Sequence, residues 1–148
     1  MHAFGTYPKC VHMFSFKSFG FCLFLQTKSE TKMDQNLFKT IDSTIRNKHL
    51  YRQVSLMRED ICDRFHIGRH RLNDLLNAYA GGMSFPQYIN AIRMEVAYDL
   101  LTNHPKMTIA DVASETGFTA PNLREQFKRC YGITPAEYRA GLTNTDDE

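Results

Sequence analysis

The chain has 148 residues, 43% of them hydrophobic, which allows one compact domain or two very small ones with a real core and excludes a disordered chain or a fibre. Its formal net charge is +2; taking away the acidic tail Asp146, Asp147 and Glu148 leaves a body carrying +5, compatible with a polyanionic partner without demanding one. The four cysteines, Cys10, Cys22, Cys62 and Cys130, contain no Cys-x-x-Cys pair, which argues against a zinc ribbon or a dithiol redox site and for reduced thiols in the cytoplasm.

Residues 11–25 are rich in Phe, but Lys17 interrupts them and a membrane span needs about 20 apolar residues. A weak basic start, with Gln26, Thr27 and Lys28 where a small-residue cleavage site should lie, argues against a signal peptide and gives no membrane partner. Two readings remain: the remnant of an upstream membrane-linked region, or sequence ahead of a true start at Met33. Either leads to the expectation that residues 1–33 are poorly ordered.

Beyond Met33 the pattern turns helical, with Leu37, Ile41 and Ile45 four residues apart. No strand-type alternation follows, and Gly and Pro fall between helical stretches, so the fold class is all-α. Three helix starts share one chemistry: Met83-Ser84 with Gln87 and Tyr88, Met107-Thr108 with Asp111 and Val112, and Ile133-Thr134 with Glu137 and Tyr138. In each, a hydroxyl can cap an orphan N–H three residues on, the Gln or acid can reach back, and an apolar pair fixes the chain's approach angle. The first of these helices is expected over 84–103, with Phe85, Ile89, Ile92, Val96 and Leu100 as one apolar stripe and Asn103-His104-Pro105 as its end. At about 1.5 Å per residue it is roughly 30 Å long, enough to bridge two small units.

The chain also repeats itself. Ile61, Cys62, Ile67, Leu72, Leu76 and Gly81 correspond to Val112, Ala113, Phe118, Leu123, Phe127 and Gly132 at a constant offset of 51. After Gly82 the offset drops to 50, and Met83, Ser84, Gln87 and Tyr88 match Ile133, Thr134, Glu137 and Tyr138. Each copy reads as a short helix, a tight turn and a second helix, the plan of a helix-turn-helix. Cys62 and Ala113 fill the slot where the helices approach, and Ile67 and Phe118 plug the corner. The second helix turns Leu72, Leu75, Leu76 and Tyr79 inward in one copy and Leu123, Phe127 and Tyr131 in the other. Its free face carries Arg69, His70, Arg71, Asn73 and Asp74, then Asn122, Arg124, Glu125, Lys128 and Arg129, residues that can hydrogen-bond to bases and phosphates.

The stretches "MTIADVASETGF" and "FKRCYGITPAEYR" resemble the DNA-binding domain of the AraC/XylS family of bacterial transcription regulators, and the resemblance covers about residues 37 to 141. It implies two homeodomain-like helix-turn-helix subdomains joined by a long linker helix, each placing its second helix in a successive turn of the major groove of double-stranded DNA. The expected division is 1–33 as the poorly ordered segment and 34–141 as the DNA-binding domain, with 142–148 the acidic tail. Within the domain, 34–83 is the first unit, 84–104 the linker helix and 105–141 the second unit. His70, Asn73, Asn122 and Arg124 are the expected base readers, with Arg69, Arg71 and Lys128 near phosphates and the carboxylates Asp74 and Glu125 able to accept from cytosine N4. "LYRQVSLMRED" further resembles output domains that follow a larger sensing region, absent from this sequence, and the resemblance brings RNA polymerase in as a partner.

The alternative is a degenerate helix-turn-helix module acting through protein–protein contacts. Asp74, Glu125 and a second turn one residue shorter than the family's usual form are its support. No cofactor, metal or enzymatic activity is expected: there is no Gly-rich phosphate loop, no Gly-x-Ser-x-Gly, no His-Glu-x-x-His and no ligand spacing among the histidines.

Overall fold

A computed structural model describes residues 28–143. The Phe-rich stretch 11–25 and the tail beyond Thr143 lie outside the described residues, as do residues 1–27 of the segment expected to be poorly ordered. Residues 28–33 of that segment stand in the first helix. Seven α-helices and no strand occur among the described residues: α1 Lys28–Asn47, a 3-10 turn Leu50–Arg52, α2 Arg58–Phe65, α3 Arg69–Tyr79, α4 Phe85–Asn103, α5 Ile109–Thr116, α6 Ala120–Tyr131 and α7 Pro135–Thr143. The all-α expectation holds, and α2–α3 and α5–α6 are the two helix-turn-helix pairs.

The chain divides into two compact units inside α4, between Ile92 and Arg93. In the first, α1 buries Phe38, Ile41 and Ile45 and leaves Leu37 half-buried, so the stripe of the leading helix is set one residue from the expected start. Phe38 stacks on Tyr79 at 5.6 Å between ring centroids and tilts against Tyr88 at 5.8 Å. The Tyr88 hydroxyl donates to Asp42 Oδ1 at 2.5 Å, while Arg46 Nε donates to Asp42 Oδ2 at 3.0 Å, so the half-buried carboxylate has both oxygens engaged. Leu50, Ile61, Cys62, Leu72, Leu75, Leu76, Phe85, Ile89 and Ile92 complete that core.

The second unit gathers Met94, Ala97, Leu101, Val112, Ala113, Phe118, Leu123 and Phe127, with Tyr98, Tyr131 and Tyr138 packed against them. Arg93 is buried with its guanidinium 5.6 Å from the centre of the Phe118 ring, and desolvation lowers its pKa. The single stripe expected along α4 is therefore corrected. Phe85, Ile89 and Ile92 are buried as expected, but Val96 and Leu100 are only half-buried, and Met94, Ala97 and Leu101 take the buried places. A helix divided between two cores has no need of one continuous apolar face.

The turns repeat as closely as the sequence does. α2 ends on His66 at φ 53° and α5 on Gly117 at φ 72°, both left-handed. The next residue folds back in each, Ile67 N–H donating to Cys62 O at 3.0 Å and Phe118 N–H to Ala113 O at 2.9 Å. This bond closes the corner, and the side chain it positions becomes the plug: Phe118 is buried and Ile67 half-buried. Both turns are three residues long, 66–68 and 117–119, before α3 and α6 begin. The small residue at Cys62 and Ala113 is needed there because both are almost fully buried where the two helices approach, with 7% and 1% exposure.

Candidate nucleic-acid interface

The second helix of each pair is held from below by its leucines and aromatics. Leu72, Leu75 and Leu76 on α3, and Leu123 and Phe127 on α6, are each at most 2% exposed. With 3.6 residues per turn, the direction away from these anchors falls on His70, Asp74 and Asn77 in α3 and on Pro121, Glu125 and Lys128 in α6. All six are exposed. Asn73 and Arg124 flank that centre line on one side, Arg71 and Asn122 on the other, and these four are exposed as well.

Side-chain caps fix the starts of the helices around and within the second pair. Thr108 and Thr134 form full capping boxes: Thr108 Oγ1 accepts from Asp111 N–H at 3.1 Å and Thr134 Oγ1 from Glu137 N–H at 3.2 Å. In return Asp111 Oδ2 accepts from Thr108 N–H at 3.0 Å, and Glu137 Oε2 from Thr134 N–H at 2.7 Å. The hydroxyl and backbone bonds from Thr108 hold the Asp111 carboxyl below its ordinary pKa, and the backbone and hydroxyl bonds from Thr134 do the same for Glu137. The third box differs from expectation: Ser84 donates both its N–H, at 2.9 Å, and its hydroxyl, at 3.0 Å, to Gln87 Oε1. α6 has its own cap, Thr119 Oγ1 accepting from Asn122 N–H at 3.4 Å, whereas α3 starts after Gly68 with no side-chain cap.

The expected site residues separate into two groups. His70, Asn73 and Asp74 share the outward face of α3, and Asn122, Arg124, Glu125 and Lys128 that of α6. Arg69 and Arg71 are drawn sideways onto carboxylates of the same unit: Arg69 Nε lies 3.1 Å from Glu59 Oε1, and Arg71 pairs with Asp34 of α1. Sequence reasoning missed Asn77, which stands on the outward face one turn beyond Asn73 and with it borders a cavity of about 590 Å³ beside α3. The signal was present, since the offset of 51 maps Asn77 onto Lys128, already chosen in the second copy.

Among the described residues, no three His, Cys, Asp or Glu side chains gather as metal ligands. Cys62 is buried in the core, where desolvation, followed by the nearby Glu59 charge, raises its thiol pKa away from reactivity. No helix among the described residues is long and apolar enough to cross a membrane.

A family model described as a helix-turn-helix domain matches residues 61–141. Comparison with curated proteins returns no match. Among solved structures, the C-terminal domain of AraT, a response regulator from Geobacillus stearothermophilus, is similar with a TM-score of 0.59 and 25% identity, covering 73% of this chain and 84% of that one. A DNA-binding transcriptional dual regulator from Escherichia coli K-12 gives a TM-score of 0.58 at 22% identity, covering 70% of this chain and 95% of that one. The C-terminal domain of the two-component response regulator yesN from Fusobacterium nucleatum gives 0.55 at 21%, covering 76% and 99%. The last two likenesses establish the fold alone.

Proposed function

The chain belongs to the AraC-type family of helix-turn-helix proteins, and on that footing we propose that it is a sequence-specific DNA-binding transcription regulator. The observation that carries this reading is the matched presentation of two second helices. Each has a fully buried underside and an exposed face of hydrogen-bonding side chains in the same register. A major groove admits one such helix, and half or more of the bonds it makes go to phosphates, which set register, while the rest read base edges.

On this reading 34–83 and 105–141 are the two gripping units, and 84–104 is the helix that links them. α3 and α6 enter successive major-groove segments. Asn73, Arg124, His70 and Asn122 face bases, and Lys128, Arg69 and Arg71 reach phosphates. Asn77 joins the first group. The relative at 25% identity is described as the C-terminal domain of a response regulator, which supports a regulatory role; a sensing region and RNA polymerase enter this reading through the family resemblance.

The test is anisotropy titration of duplexes enriched from a random pool. Affinity should fall steeply between 50 and 200 mM salt, by about tenfold or more for each two or three phosphates neutralised. Asn73→Ala and Arg124→Ala should relax base preference at one position each. Wild-type protein that enriches no sequence and binds without salt dependence would leave the protein-contact module as the better reading.

A further inference from the structure

Asp74 and Glu125 occupy the same place in the two repeats, 51 residues apart. Each is the sixth residue of its helix, each is exposed, and each stands at the middle of the face opposite the buried anchors. The carboxylates around them have structural tasks: Glu59 and Asp34 hold Arg69 and Arg71, and Asp111 and Glu137 cap helices. Asp74 and Glu125 have none, for neither makes a hydrogen bond or ion pair among the described residues. An acid at the centre of a face that meets a polyanion is unfavourable unless a donor waits for it.

The bases offer such a donor unequally. A carboxylate can only accept. In the major groove guanine shows two acceptors, thymine an acceptor and a methyl group, adenine a donor beside an acceptor, and cytosine the N4 amino donor alone. Guanine and thymine therefore repel the acid, adenine suits it by half, and cytosine suits it fully. Resting on the DNA-binding reading above, we infer that Asp74 and Glu125 are specificity-determining residues that each require a cytosine at the equivalent step of their half-site.

The neighbouring position distinguishes the halves. Asn73 and Arg124 are also 51 apart and exposed, but Asn matches the N6 and N7 edge of adenine and Arg the O6 and N7 edge of guanine. The two half-sites thus share a cytosine and differ beside it, adenine in the first and guanine in the second. Such a site has a direction, so one chain binds it in one orientation.

The experiment is selection by the full chain from a random duplex pool at fixed salt, run in parallel for wild type, Asp74→Asn and Glu125→Gln. Wild type should enrich two half-sites with a cytosine in each, and replacing either cytosine should weaken binding by about tenfold or more. Asp74→Asn should move the preference of the first half-site from cytosine to adenine and leave the second unchanged; Glu125→Gln should do the converse. Both amides are near-isosteric at exposed positions, and unchanged melting curves confirm that the variants fold. An enriched motif without the shared cytosine overturns the inference while the DNA-binding reading stands, as does a motif whose bases neither variant alters. Variants that merely tighten binding to all sequences alike overturn it too, because they would show repulsion without readout. A wild-type protein that enriches nothing removes both readings together.

Discussion

Replacing Phe127 by Ala should unfold most of the second unit. The ring is 0% exposed, with its centroid 4.3 Å from that of Tyr131 and 5.7 Å from that of Tyr138. It also belongs to the cluster with Leu123, Val112 and Ala113, so its loss opens a cavity under α6 and strips cover from two tyrosines. A buried Phe→Ala change costs about 3–5 kcal/mol, and the two aromatic partners put this site in the upper half of that range. A unit of about fifty residues has a net stability of roughly 2.5–7.5 kcal/mol, so a single truncation consumes most of it. The chain has no Trp, so far-UV circular dichroism in urea should follow the transition, with hydrogen exchange locating it. Amide protection should be lost throughout α5, α6 and α7, and Phe127→Leu should restore most of it. Wild-type protection in α6, or a change below about 1 kcal/mol, would refute the packing argument.

Three further outcomes follow from local chemistry. Asp111 and Glu137 have depressed folded-state pKa values, so the stability they contribute is complete above the ordinary carboxylate range and is lost as pH falls through the folded values; Asp111→Asn with Glu137→Gln should flatten the acid limb of a melting-temperature profile. Gly132 ends α6 at φ 78° with open space around the place of a Cβ, so Gly132→Ala should cost the backbone strain alone, about 1–2 kcal/mol by urea denaturation. His66 holds the left-handed position that Gly117 holds in the other copy, so His66→Gly should stabilise by about 0.5–1 kcal/mol once the extra freedom of the unfolded glycine is subtracted, and a lowered melting temperature would contradict this.

What the sequence revealed, it revealed through repetition. Ile61, Cys62, Ile67, Leu72 and Leu76 have partners at a constant offset, and the same offset relates the two corner hydrogen bonds, the two left-handed residues and the two buried undersides. Periodicity failed along α4, where a stripe extrapolated from Phe85, Ile89 and Ile92 ran on to Val96 and Leu100. A local pattern cannot register that a helix passes from one core to another, because the change is imposed by residues far along the chain such as Val112, Leu123 and Phe127. The same limit hid the ion pairs. Nothing in the sequence near Arg71 points to Asp34, 37 residues away on α1.

Those ion pairs bear on how the interface works. Arg69 and Arg71 sit on α3 at the margin of the outward face, yet Glu59 and Asp34 hold them. Both guanidinium groups remain about half exposed, with side-chain exposures of 63% and 48%, so each pair is worth no more than about 1 kcal/mol and is screened by salt. Each pair rests on a single nitrogen–oxygen contact, whereas a phosphate offers bidentate geometry with a denser charge and can draw either arginine away at little cost. The freed Asp34 and Glu59 would then repel any phosphate that came too near α1 or α2. The paired carboxylates therefore do not argue against DNA binding. On the DNA-binding reading proposed above, they hold the two arginines beside α3 before contact and would restrict the approach of a duplex to the face on which Asn73, Asp74 and Asn77 stand.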